Sequence, residues 1–213
     1  MSKVWLFGET SEFSQSILKE LKNKSDDIQT FGRRNISYND PIIEQINLSK
    51  FPPDKIIINV NLDWNKGEIK YSDRWEKPLT IISSISELLR YCYIETSKNI
   101  TVVYITSSVT IQPLNDKDFI NWRDYISIRH TQQAMWSAYD SKKLKVLAVS
   151  PANLDGNNRK RYAERLVEIA YNPPIDRKSI IDLSWYGGWK NNGYEKDEWL
   201  SLIHISEPTR QSP

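Results

Sequence analysis

Tyr125 and Arg129 stand four residues apart in a stretch that reads as helix, Tyr125-Ile126-Ser127-Ile128-Arg129. That spacing puts both side chains on one helical face, so a phenol and a guanidinium can address one site. A phenol can exchange a proton, and a fixed cation beside it favours its charged form, the combination that general acid–base chemistry uses. Two apolar runs flank this helix. Val102 to Ile105 ends in three hydroxyls, Thr106, Ser107 and Ser108, and Val146 to Val149 runs into Ser150-Pro151-Ala152-Asn153.

A second group lies near the N-terminus. The run Lys3 to Phe7 leads into Gly8-Glu9-Thr10-Ser11-Glu12-Phe13-Ser14, with the small residues Gly8, Ser11 and Ser14 at offsets zero, three and six. A turn of small residues between a strand and a helix lets the backbone approach a pyrophosphate and aims helix-terminal amides at it. The same residues also make an ordinary turn with a Ser or Thr N-cap. Only Gly8 is glycine; Ser11 adds a hydroxyl, and Glu12 adds negative charge where phosphates would lie. The next apolar run ends Phe31-Gly32-Arg33-Arg34. In a dinucleotide fold an acidic residue there binds the ribose diol, whereas arginine accommodates a 2′-phosphate, so Arg33 and Arg34 favour NADP(H) over NAD(H). A solvated basic turn would read the same way. Asn59 and Asn61, closing Ile56-Ile57-Ile58-Asn59-Val60-Asn61, suit either the adenosine side of a cofactor or a turn.

The elements that must position these groups alternate. Strands are expected at Lys3–Phe7, Ile28–Phe31, Lys55–Val60, Ile100–Ile105, Lys145–Val149 and Ser179–Leu183. Helices are expected at Phe13–Leu21, Pro41–Ile46, Leu79–Ile94, Tyr125–Tyr139 and Tyr162–Tyr171, with a polar loop over Asp63–Lys77. Apolar residues three and four apart mark the helices, and continuous β-branched runs mark strands covered on both faces. Such alternation implies βαβ units: an α/β, Rossmann-like, doubly wound, mainly parallel sheet of six or seven strands with helices on both faces.

Composition narrows the function classes. With 29 Lys and Arg against 27 Asp and Glu, no general nucleic-acid or membrane-surface role is indicated. No apolar run approaches the ~18 residues of a membrane span, and no signal-peptide pattern opens the chain, so a cytoplasmic protein is expected. Cys92, the only cysteine, sits in an apolar helical stretch and reads as a buried thiol. His130 has no metal-ligand partner at useful spacing, and no Cys/His cluster or phosphate-binding loop of the Gly-Lys-Ser kind is present. The eight tryptophans have no reading beyond core and interface filling.

Taken in order, the hydroxyl-ended strand, the Tyr-x-x-x-cation helix, the following strand and the Pro151 loop resemble the short-chain dehydrogenase/reductase family, from Val4 to about Trp189. The resemblance implies Tyr125 as the acid/base, Ser107 or Ser108 as the serine on the same substrate oxygen, and Arg129 in the position of the lysine that binds the ribose. It further implies an NADP or NAD cofactor on Gly8, Thr10, Ser11, Ser14, Arg33, Arg34, Asn59 and Pro151, a small carbonyl or alcohol substrate, and a homo-oligomer paired through the Leu79 and Tyr125 helices. The surplus apolar residues there (Leu88, Leu89, Tyr91, Tyr93, Met135, Trp136, Tyr139) agree with such pairing. The chain departs from the family at Ser11, Glu12, Arg129 and Ala152, and the family's relay asparagine has no counterpart beyond Ser84 or Ser86 in that region. Two alternatives stay open: a catalytically degenerate relative that binds a dinucleotide or a protein, and a sugar-nucleotide enzyme of the extended branch, for which little chain follows Ser150. The segment Leu200–Arg210 reads like a translated sequencing adapter, so residues 200–213 are taken as a non-native tail, His204 as non-functional, and 1–199 as one domain.

Overall fold

The computed structural model describes residues 2–24, 27–46, 52–62, 71–107, 116–151, 156–174 and 180–183. Six strands form one sheet: β1 (Lys3–Phe7), β2 (Asp27–Phe31), β3 (Lys55–Ile58), β4 (Ile100–Ile105), β5 (Leu144–Pro151) and β6 (Ile180–Leu183). Their spatial order is β2-β1-β3-β4-β5-β6, and every pairing is parallel. The helices are α1 (Glu12–Asn23), α2 (Ile42–Gln45), α3 (Tyr71–Glu95), α4 (Asp116–Ser137) and α5 (Gly156–Tyr171). The sheet is Rossmann-like, with β2 as its edge strand. The familiar 3-2-1-4-5-6 order carries one more strand outside this position.

Strand alternation splits the core in two. Trp5, Phe7, Ile56, Ile58, Val102, Tyr104, Val146 and Ala148 face α2, α3 and α4. Val4, Leu6, Ile57, Val103, Ile105, Leu147 and Val149 face α1 and α5. Both faces are covered, which is why the strand sequences are apolar at consecutive positions rather than alternate ones. Trp5 packs edge-on against Phe31, and Trp136 edge-on against Tyr104 with its indole N–H donating to Ile82 O. Two of the tryptophans are thereby core. Cys92 is buried, and burial pushes its thiol up to about 12.

The expected strands and helices are all present; β1 and β4 keep their expected limits and the others differ. β3 runs to Ile58, and Asn59 carries the ladder one bond further, its N donating to Phe7 O at 2.9 Å while its side chain reaches the first turn. α3 begins eight residues before Leu79 and runs through Pro78, so Tyr71 to Lys77, part of the stretch expected as a polar loop, is helix. Leu88, Leu89 and Trp136, counted as surplus apolar surface, are fully buried in this chain's own core. Leu79, Tyr93, Ile94 and Met135 are the large apolar side chains exposed among the described residues of these two helices. No helix among the described residues is long and apolar enough to cross a membrane, and none of their His, Cys, Asp and Glu side chains cluster as metal ligands. The Gly187-Gly188 turn and the 200–213 tail lie outside the described residues.

Candidate functional site

The chain reverses direction across the sheet between β1 and β3, so the carboxyl edge there is the topological switch point. Gly8 occupies it with φ +87°, and a Cβ at that position would come within 2.0 Å of Asn59 O. Only glycine fits, because β3 approaches the turn and the backbone is left-handed. Ser11 caps α1, its hydroxyl accepting from Ser14 N at 3.0 Å. The buried Ser14 hydroxyl donates to Gly8 O at 2.6 Å. Asn59 Nδ2 donates to both hydroxyls, at 2.9 Å to Ser11 and 2.7 Å to Ser14. Gly8, Ser11, Ser14 and Asn59 thus form one network, in which the serines bond to the protein itself. Thr10 is exposed on the same turn.

Two charges in this turn have partners that sequence order hides. Glu12 pairs with Arg159, from the first turn of α5, so its charge is balanced by a side chain 147 residues away. Glu9 lies against Gly32: a Cβ on that glycine would sit 2.9 Å from Glu9 Cγ. A carboxylate therefore does reach the end of β2, supplied by the first turn and not by β2. Beyond it, Asn35 clamps the turn, accepting from Gly32 N at 2.7 Å and donating to Thr30 O at 2.9 Å. This holds Arg33 and Arg34, both exposed, at the carboxyl end of the edge strand.

The second cluster sits at the ends of β4 and β5. Thr106 N donates to Val149 O, carrying the ladder one residue past β4. The last carbonyl of β4, Ile105 O, accepts from Arg129 Nη1 at 3.5 Å and from Gln132 Nε2 at 3.2 Å. Gln132 Oε1 accepts from Arg129 Nη1 at 3.0 Å. The Arg129 guanidinium carbon lies 5.2 Å from the centre of the Tyr125 ring. The spacing argument therefore describes a real pair, stacked over the end of the strand that carries Ser107. Pro151 closes β5 and is buried. Ser108 lies outside the described residues.

Three buried polar atoms near these strand ends have no hydrogen-bond partner: Thr106 Oγ1, Ser150 Oγ and Arg129 Nε. Buried polar groups are usually satisfied; Trp5 Nε1, Tyr38 Oη, Gln133 Oε1 and Tyr171 Oη, elsewhere in the chain, are exceptions of the same kind. Arg33 and Arg34 stand at the other end of the same edge. Ser84 and Ser86 do not replace the relay asparagine: their hydroxyls donate to Tyr38 O and Ile82 O. Sequence reasoning missed Gln132, Glu9 and Arg159. A glutamine in a helix reads as surface, and pairing between distant turns leaves no local signal.

No protein-family model and no curated protein sequence matches the chain. Solved structures do share its fold. A short-chain dehydrogenase/reductase from Serratia marcescens superposes with TM-score 0.59 at 12% identity, over 85% of this chain and 96% of that one. One from Vibrio parahaemolyticus gives 0.58 at 14% identity, over 84% and 98%. A GDP-L-fucose synthetase from Naegleria fowleri gives 0.60 at 12%, over 85% and 76%, and has also been solved bound to NADP. At these identities the likeness is one of fold.

Proposed function

We propose that the chain is an oxidoreductase of the short-chain dehydrogenase/reductase type, using NADP(H) or secondarily NAD(H) on a small carbonyl or alcohol. The observation that supports this is the Tyr125–Arg129 pair stacked over the end of β4. In this reading Arg33 and Arg34 hold a 2′-phosphate, the Gly8 to Ser14 turn and Asn59 lie along the pyrophosphate and adenosine, and Pro151 borders the nicotinamide. When bound, the nicotinamide supplies or accepts the hydride. The Tyr125 hydroxyl gives a proton to the substrate oxygen, or takes one from it in the reverse direction. Ser107, with Ser108 beside it in sequence, donates a hydrogen bond to that same oxygen. Arg129 keeps its positive charge beside the phenol throughout, since a guanidinium does not deprotonate.

Titration with NADPH and NADH is the first test, with NADPH expected to bind tighter. Tyr125→Phe should then lower turnover by about a hundredfold or more while cofactor affinity stays nearly unchanged. A variant indistinguishable from wild type would remove Tyr125 from the chemistry. A second reading is favoured by the closed Asn59–Ser11–Ser14 network: a relative that binds a dinucleotide or a partner protein without turning over substrate. It forecasts no reduction across a broad carbonyl panel, with or without NADPH binding.

A further inference from the structure

Gln132 is fully buried on α4, an uncommon place for a carboxamide unless both its ends are used. Both are. Nε2 donates to Ile105 O at 3.2 Å, and Oε1 accepts from Arg129 Nη1 at 3.0 Å. A carbonyl can only accept and a guanidinium can only donate, so one orientation of the amide satisfies both neighbours. The arrangement answers a problem that arginine creates. A guanidinium carries five donors and no acceptor, and taking it out of water is costly unless acceptors are supplied. At Arg129 those acceptors are the last carbonyl of β4 and the Gln132 oxygen. Without Gln132, the guanidinium would lose its shorter bond, 3.0 Å to Gln132 Oε1, and keep the 3.5 Å contact to Ile105 O, a weaker hold on its place over the Tyr125 ring.

We infer that Gln132 is a positioning residue, one that locks the Arg129 guanidinium between β4 and the Tyr125 ring and so sets the geometry of the phenol–cation pair. Its catalytic consequence rests on the proposed reading of Tyr125; its physical content, the coupling of Gln132 to Arg129, does not.

Two cycles built on Gln132→Met and Arg129→Met test it, since methionine matches glutamine in length, fills the place of the arginine stem, and removes the hydrogen bonds. In thermal unfolding without cofactor, each single variant lowers Tm by roughly 3–6 °C. The double variant falls close to the lower single value, because each change removes the same interaction. In turnover with NADPH, Gln132→Met lowers kcat ten- to hundredfold, as roughly expected for a misplaced catalytic cation, with substrate KM changed by about twofold or less. The double variant is no slower than Arg129→Met, and Gln132→Glu, which keeps an acceptor for Arg129 but loses the donor to Ile105 O, recovers only part of the lost kcat. If Gln132→Met does not fold, Gln132→Asn, whose carboxamide is one methylene short, takes its place with the same pattern expected. Additive losses in the unfolding cycle, or an unchanged kcat in Gln132→Met, overturn the inference. A wild-type protein that turns over nothing removes the functional reading instead, and the unfolding cycle then decides the Gln132–Arg129 coupling by itself.

Discussion

Arg33, Arg34 and Glu9 meet at the carboxyl end of β2 with opposite implications for the cofactor. The two guanidinium groups stand exposed on the Asn35-clamped turn, where each could make a charge-assisted bond to a phosphate. The Glu9 carboxylate packs beside Gly32 and opposes a phosphate there while suiting a ribose diol. Two cations against one anion favour the 2′-phosphate. NADPH should accordingly bind tighter than NADH by roughly 1.5–3 kcal/mol. Arg33→Ala with Arg34→Ala should abolish that preference, and Glu9→Gln should widen it. Equal affinities for the two dinucleotides in the wild type, measured by fluorescence titration, would remove the arginines from cofactor choice. At this scale the sequence was a partial guide. Tyr125 and Arg129 were legible because helical spacing fixes which side chains share a face. Glu9 was visible in the turn, but its neighbour across the sheet edge was not, since parallel pairing brings together residues separated by a whole α1 crossover.

Among the elements, the β1–α1 turn is the most constrained. Its shape is fixed by the Gly8 conformation, by the Ser11 cap and by Asn59 reaching across from β3. Gly8→Ala must place a methyl against the Asn59 carbonyl while holding a left-handed backbone, so about 2–4 kcal/mol of stability should be lost. Urea unfolding measures this directly, and a loss under about 0.5 kcal/mol would mean the turn relaxes at little cost. Strand limits at Lys3–Phe7 and Ile100–Ile105 were legible to the residue, because continuous β-branched and aromatic runs covered on both faces admit few other structures. Helix beginnings were not. α3 starts well before its apolar periodicity does, through polar residues and Pro78, and α4 starts nine residues before Tyr125. Apolar periodicity shows only over the apolar part of each helix, and the polar residues before it carry no such signal. The excess of apolar residues on them was legible too, but its destination was not: α3 and α4 pack on one another and on the sheet, so Leu88, Leu89 and Trp136 serve this chain's own core.

Across the whole molecule the two edges of the sheet divide the work. The carboxyl edge carries Thr106, Ser150, the Tyr125 phenol and the arginines; the amino edge is a hydrogen-bonded clasp centred on Asp54. Its Oδ2 accepts from Lys3 N at 2.7 Å and its Oδ1 pairs with Lys98 Nζ at 2.7 Å, while its backbone bonds Lys3 O and Thr101 N. One residue thus ties the starts of β1, β3 and β4. Burial acts to raise the Asp54 carboxyl, but the Lys3 N–H, Lys98 and Lys55 together outweigh it and hold the group below its ordinary value of 3.8. A carboxyl held below its unfolded value contributes stability above that value, and the contribution is lost as pH falls through the lower, folded-state one. Asp54 is partly exposed, so the charged interactions are screened, and the contribution is on the order of 1 kcal/mol. Asp54→Asn should therefore lower Tm by about 2–4 °C at pH 7. The gap between variant and wild type should hold above the ordinary carboxyl value of 3.8 and narrow as pH falls below it, through the lowered folded-state value. Thermal scans at pH 7, 5, 4 and 3 read this out. A gap that stays constant to pH 3 would assign the effect to lost packing or amide geometry, because only an ionised carboxylate makes the clasp depend on pH in this direction.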